Sequence, residues 1–212
     1  MKQASYVPQG DQHPSEQVEM TDLPRVTIHT DGSAQPTNPG PGGYGVVIKI
    51  GGHRDELSGG FDFSTNNRME LMAAIVGLEA LEAPSEVMLC SDSEYVVNAI
   101  QKGWLATWRT NSWRNSSGPV KNLDLWKRFI EAYDRHDVTM VWVPGHAGNG
   151  ENECCDALAR AAARQPDRPV DAGCTSTPAS GKPNTRTGRS RTRRKGGAAP
   201  SWRVAKAAKN WY

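Results

Sequence analysis

The sequence predicts an α/β (α+β) domain built on a five-stranded mixed sheet flanked by helices, followed by a disordered basic C-terminal tail. Three observations carry this expectation. Strand-like alternation recurs three times between residues 25 and 63, short apolar runs at 86–91 and 138–143 each follow a helical pattern, and from residue 165 the chain turns to Pro, Gly, Ser, Thr and Arg with little to bury. With 212 residues, 37% of them hydrophobic, the chain has room for one sizeable core.

Residues 1–24 are polar and aperiodic and read as a flexible leader. Folding starts at Arg25, where Arg25-Val-Thr-Ile-His-Thr alternates and runs into Asp31-Gly-Ser. Gly43–Ile50 and His53–Phe63, separated by Gly51-Gly52, are the next two strands of an antiparallel meander. Asn66 or Asn67 is suited to cap a helix running to about Ala83, apolar almost all round and therefore buried against the sheet. Glu86–Ser91 has the length of a buried strand, and reaching it through a helix implies parallel pairing. Helices follow at Ser93–Gln101 and Lys121–His136, then a strand at Val138–Val143 and a closing Ala/Leu-rich helix at Glu151–Arg164. The domain thus spans residues 25–164, and the low-complexity tail with its aromatic end spans 165–212.

Composition excludes several classes. No stretch approaches the roughly 18 apolar residues of a spanning helix, and the first residues lack the apolar centre of a signal peptide, so a cytoplasmic protein without a membrane role is expected. Cys90, Cys154, Cys155 and Cys174 lack the spacing of a zinc or redox motif and read as reduced thiols. The net charge of +2 conceals a division: from residue 165 onward 11 Lys and Arg stand against 2 Asp and Glu, which leaves the rest of the chain at −7. An acidic body carries a basic tail.

Chemistry concentrates in the acids. Two strands expected side by side and parallel each end in an aspartate, Asp31 and Asp92, and the carboxyl ends of adjacent parallel strands border the crevice where α/β sheets bind ligands. Glu70, placed in the first turn of the apolar helix, needs a cation to offset its burial. Asp156 follows the glycine-flanked loop Gly145-His146-Ala147-Gly148. Carboxylates without a matching Arg or Lys nearby point to hard divalent cations, and two-metal phosphodiester hydrolysis is the chemistry such a set supports. Taken singly, Asp-Gly-Ser is a common turn, a strand-terminal Asp is often a cap, and His146 reads as a loop histidine whose imidazole is also suited to proton transfer. Tryptophans 104, 108 and 113, interleaved with Lys102, Arg109 and Arg114, fit either packing or a phosphate-tracking surface, with packing the simpler role.

The blocks Thr30-Asp-Gly-Ser, Asn38-Pro-Gly-Pro-Gly-Gly-Tyr-Gly, Thr65-Asn-Asn-Arg-Met-Glu, Ser91-Asp-Ser-Glu-Tyr-Val, Pro119-Val-Lys-Asn-Leu-Asp-Leu-Trp, Gly145-His-Ala-Gly, Asn152-Glu and Cys155-Asp-Ala-Leu-Ala occur in this order. Together they resemble the bacterial ribonuclease HI family over about residues 25–164. The resemblance implies a ribonuclease H-like fold and an endonuclease that cuts the RNA strand of RNA/DNA hybrids with two Mg²⁺ ions, Mn²⁺ substituting, to leave 5′-phosphate and 3′-hydroxyl ends. It places Asp31, Glu70, Asp92 and Asp156 at the metal-ligand positions and His146 at the mobile histidine. Asn38, Asn66 and Asn67 fall at minor-groove contacts, and Thr65 with Asn122 at the grip on a DNA phosphate. A monomer acting on hybrid, with the basic tail contacting nucleic acid, is the expected form.

This chain departs from the family pattern at Phe63 in place of an arginine, Glu94 in place of a neutral amide, Pro144 in place of a lysine, and a protrusion at 101–118 with few cations. These departures bear on substrate affinity more than on chemistry. Rival expectations are a catalytically idle hybrid- or RNA-binding protein, a retroviral-type ribonuclease H domain and a Holliday-junction resolvase. The four acids argue against the first, and the Asn38 and Asn66 blocks against the others.

Overall fold

A computed structural model describes residues 23–145 and 147–174. Five strands form one sheet in the order β3-β2-β1-β4-β7. β1 (Arg25–Ala34), β2 (Gly40–Ile50) and β3 (His53–Ser64) form the antiparallel meander, while β4 (Glu86–Ser91) and β7 (Asp137–Trp142) add in parallel. Between them stand α1 (Asn66–Glu79), α2 (Glu94–Gln101), α3 (Trp104–Thr110), a two-residue hairpin β5–β6 (Arg114–Asn115, Gly118–Pro119) and α4 (Leu123–Tyr133). α5 (Gly150–Ala163) closes the described helices. The mixed five-stranded sheet is as the sequence predicts; α3 and the small hairpin are additions.

α1 lies on one face of the sheet, and its residues Met69, Leu71, Ile75 and Leu78 are fully buried against Ile28, Val46 and Leu89. Each of those larger side chains contributes roughly 1.5–3 kcal/mol by leaving water. α4 seals α1 from outside with Trp126 and Phe129, both fully buried, in a chain of tilted rings that joins Tyr95, Trp108, Trp126, Phe129 and Tyr133 at centroid spacings of 5.4–5.6 Å. Trp108 is therefore a packing residue, whereas Trp104 stays 40% exposed beneath the Lys102 ammonium. α5 covers β3, β2 and β1 on the opposite face and leaves Met88 of β4 half-exposed.

Three local expectations are corrected. Thr65, not Asn66 or Asn67, caps α1, its Oγ accepting the Arg68 N–H at 3.3 Å. The helix starts at Asn66, so Glu70 is its fifth residue, beyond the first turn, and it ends at Glu79 rather than near Ala83. Asp31 is not at the end of its strand, because β1 keeps its antiparallel partner β2 as far as Ala34 after the parallel pairing with β4 has stopped at Thr30–Ser91.

The expectation of disorder from residue 165 onward does not hold for residues 165–174. Residues 165–174 form a strap along the outer edge of β3, where the Asp62 N–H donates to the Pro169 carbonyl at 3.0 Å and the Arg168 Nε–H to the Phe61 carbonyl at 3.1 Å. The strap supplies partners to an otherwise open sheet edge, a saving that composition does not reveal. The leader up to residue 22 and the tail from 175 onward lie outside the described residues, as does His146.

Candidate active site

Two glycines bring the acids together. Gly32 follows Asp31 on β1, and a β-carbon there would stand 2.1 Å from the backbone nitrogen of Glu70, so only glycine lets α1 press this close to the strand. Gly45 pairs with Asp31 across β1–β2, and a β-carbon there would meet the Cys155 carbonyl oxygen at 2.1 Å. Backbone contact on one face thus sets Glu70 beside Asp31, and contact on the other brings the first half of α5, with Asp156, to the same point. Asp92 follows immediately on β4, one strand over.

The electrostatics confirm this convergence. Asp31 is pushed up to about 7, by burial first, then by the neighbouring charge of Asp92, with Asp156 and Glu70 adding; the Gly32 N–H, donating to Oδ1 at 2.6 Å, opposes the shift. Glu70 is raised as well, chiefly by burial and then by Asp92, and the Ser93 hydroxyl donating to its Oε2 only partly offsets this. The expected cation beside Glu70 is replaced by that hydroxyl. Asp156 does find one, since the Arg160 Nε stands 2.8 Å from its Oδ1, four residues on, without the alignment of a hydrogen bond.

Two contributors have no clear sequence signature of their role. Asn152, buried on α5, donates through Nδ2 to Asp92 Oδ2 at 3.1 Å, and Ser93 both caps α2 and holds Glu70. The Asp-Ser step at a strand-to-helix junction signals the cap; nothing local signals Asn152. Gly145 lies against the other side of Asp92, where a β-carbon would come within 2.8 Å of Oδ2, so the glycine loop borders the acids.

Asp31 and Glu70, whose charged forms are disfavoured by burial first and by neighbouring acids second, stand with Asp92 and Asp156 as hard oxygen donors suited to a divalent cation, whose charge would favour the carboxylates. Among the described residues no three acids, histidines or cysteines are gathered tightly enough to hold an ion as they stand, consistent with carboxylates that repel one another and with Asp156 turned to Arg160.

A second locus lies where the N-termini of α1 and α4 meet. Arg68, buried at the start of α1, donates from its two terminal nitrogens to Asp124 in the first turn of α4 at 2.9 and 2.7 Å. That pairing holds Thr65 and Asn122, the residues before the two helices, at one corner. Asn122 takes the left-handed conformation that asparagine tolerates, φ 57°, and its Nδ2 donates to the Tyr95 hydroxyl at 3.1 Å. Two helix N-termini, a threonine hydroxyl and an amide make a neutral, dipole-rich corner suited to an anion. Of the three asparagines expected along a minor groove, Asn38 accepts the Asn66 N–H at 3.2 Å, Asn66 accepts the Ala34 N–H at 2.6 Å, and Asn67 is exposed. The first two therefore brace the loop after β1 against α1.

The sequence model described as RNase H matches residues 24–164. A ribonuclease H of Desulforamulus reducens is 56% identical over 152 residues, covering 71% of this chain and 95% of that protein. A ribonuclease HI of Shewanella oneidensis is 50% identical over 155 residues, covering 73% and 97%. Among solved structures, the crystal structure of LC9-RNase H1, described as a type 1 RNase H with the type 2 active-site motif, matches with a TM-score of 0.61 at 30% identity, over 66% of this chain and 72% of that one.

Proposed function

The chain belongs to the ribonuclease H family and is an endoribonuclease of RNA/DNA hybrids, and from that premise we propose that Asp31, Glu70, Asp92 and Asp156 hold its divalent cations. Two Mg²⁺ ions, with Mn²⁺ as a substitute, fit the four acids, and cleavage leaving 5′-phosphate and 3′-hydroxyl ends is part of the same reading. The observation that carries it is the crossing of β1, α1 and β4, where Asp31, raised to about 7, shares its surroundings with Glu70 and Asp92 and no Lys or Arg pairs with any of these three among the described ion pairs. Bound there, divalent cations supply the positive charge that phosphodiester hydrolysis requires.

The chain's own groups do the rest. Ser93 orients Glu70 and Asn152 orients Asp92, while Asp156 would have to turn from Arg160 to join them around a cation. His146 carries a proton to or from the leaving group from the loop bordering Asp92. Thr65 and Asn122 hold a phosphate of the DNA strand at the helix corner, while Asn38, Asn66 and Asn67 lie along the minor groove. The basic tail contacts nucleic acid, and the enzyme acts as a monomer in the cytoplasm, where its four unpaired thiols are at home.

A gel assay tests the reading as a whole. With Mg²⁺, the chain should cut the RNA strand of a labelled hybrid and leave duplex DNA, duplex RNA and a four-way junction intact. Cutting of the junction in preference to hybrid, or hybrid binding without cutting, would replace this reading by the resolvase or the idle binder.

A further inference from the structure

The strap after α5 ends in an anchor that holds the chain on both sides of Thr65. Asp171, buried, takes the Arg68 Nε–H on Oδ2 and an Arg68 terminal N–H on Oδ1, each at 2.7 Å, and the Ser64 hydroxyl on Oδ2 at 2.6 Å. Ser64 ends β3 immediately before Thr65, and Arg68 is the residue whose backbone N–H donates to the Thr65 hydroxyl. The far end of the same guanidinium is held by both oxygens of Asp124, two residues past Asn122. Gly173 closes on this pair so tightly that a β-carbon on it would fall 1.9 Å from Asp124 Oδ2.

A guanidinium carries its N–H groups in a rigid planar fork, so one carboxylate along its edge and a second across its end fix both its plane and its position. Held by Asp124 alone, Arg68 could swing together with the start of α4. Asp171 removes that freedom and, through Ser64, also fixes the residue on the other side of Thr65. We propose that Asp171, which stands outside the matched residues 24–164, is a positioning residue for the DNA strand. Acting through Arg68 and Ser64, it sets Thr65 and Asn122 at the spacing that grips one phosphate. The inference rests on the phosphate role proposed above for that corner and adds to it a residue of the strap. Position matters here because the Arg68 charge is already taken up by two carboxylates. The corner therefore holds an anion through the Thr65 hydroxyl and the Asn122 amide rather than through net charge, and such hydrogen bonds weaken steeply once the donors move out of line.

The test uses a set of hybrids, each with one uncharged methylphosphonate at a different linkage of the DNA strand, cut by the full chain in Mg²⁺ well below the melting temperature of every variant. In the parent, one such replacement should raise KM roughly fivefold and leave kcat nearly unchanged. Asp171→Ala should raise KM for the unmodified hybrid roughly threefold at nearly constant kcat. It should also shrink the effect of that same methylphosphonate to less than about twofold, because the contact is already lost. Asp171→Asn, which keeps the side-chain volume, serves the same comparison where the alanine variant does not fold. A purely structural Asp171 would instead leave the methylphosphonate effect at its parent value while activity falls on every hybrid alike. That result, a larger methylphosphonate effect in the variant, or a fall in kcat at constant KM would each overturn the proposal. If no methylphosphonate raises KM in a parent that cuts hybrid, the phosphate role of the corner falls and takes the inference with it. A parent that cuts no hybrid at all would overturn the function on which both rest.

Discussion

Two clusters of buried charge stand on either side of the start of α1, and they are built on opposite plans. At Arg68 the guanidinium is matched by Asp124 and Asp171 with aligned hydrogen bonds, and Ser64 takes up a remaining lone pair. Around Asp31 acids accumulate and, among the described residues, only Asp156 touches a cation, through an unaligned contact with Arg160. Compensated charge marks a place where the fold is held together. Uncompensated charge marks a place where stability is given up so that a ligand can complete it.

Replacing the acid at the centre of the uncompensated cluster has the largest effect. Asp31→Asn should abolish hydrolysis in Mg²⁺ while leaving hybrid binding in place, and activity within a factor of ten of the parent would refute the assignment. The same change should stabilise the metal-free protein at alkaline pH. Asp31 titrates near 7 in the fold and near 3.8 when unfolded, so the unfolded state releases its proton first and stability falls as pH rises from about 4 to about 7. Thermal melts at pH 8 in a chelator should therefore show a higher Tm for Asp31→Asn than for the parent, with the difference disappearing near pH 4.

The compensated cluster should respond in the opposite sense. Arg68→Ala strands a buried Asp171, whose side chain is 4% exposed, and should cost about 3–5 kcal/mol in chemical denaturation at any pH where the acids are ionised. A loss under 1 kcal/mol would show that the pair does not hold the strap.

His146→Ala should lower turnover roughly 10- to 1000-fold without changing metal affinity, since proton transfer assists the reaction and does not assemble the site. Single-turnover rates and calorimetric Mg²⁺ titration separate the two; complete loss, or no change, contradicts the role. Smallest of all, Arg160→Ala should change stability by less than about 1 kcal/mol, its contact with Asp156 being half-exposed and unaligned. It should tighten Mg²⁺ binding a few-fold by freeing Asp156, and weaker binding would show that Arg160 supports the site.

Much of the uncompensated cluster is legible from the chain, because Asp31 and Asp92 each follow an apolar alternating run and Glu70 interrupts a helix apolar on every side. Such signals are local, with periods of two or 3.6 residues, and they survive without knowledge of any partner. Asn152 is invisible by the same logic: its contact with Asp92 spans 60 residues, and an asparagine early in a polar helical turn looks like a solvated one. The cap of α1 is legible only to within a residue or two, since threonine and asparagine are both good caps.

The sequence by itself determined the five strands of the sheet with α1, α2, α4 and α5 in order, the burial of α1, the candidate acids and the division between an acidic body and a basic tail, since each follows from nearest-neighbour patterning or from charge. The tertiary structure alone decided that residues 165–174 pack rather than trail, that Arg68 is shared by Asp124 and Asp171 across 56 and 103 residues, and that Asp156 turns to Arg160 while Glu70 takes the Ser93 hydroxyl. The reason is one of pairing. A charge's free energy in a fold depends on which opposite charge is brought within a few ångströms and how much water is removed from both, and neither quantity exists until distant segments have met.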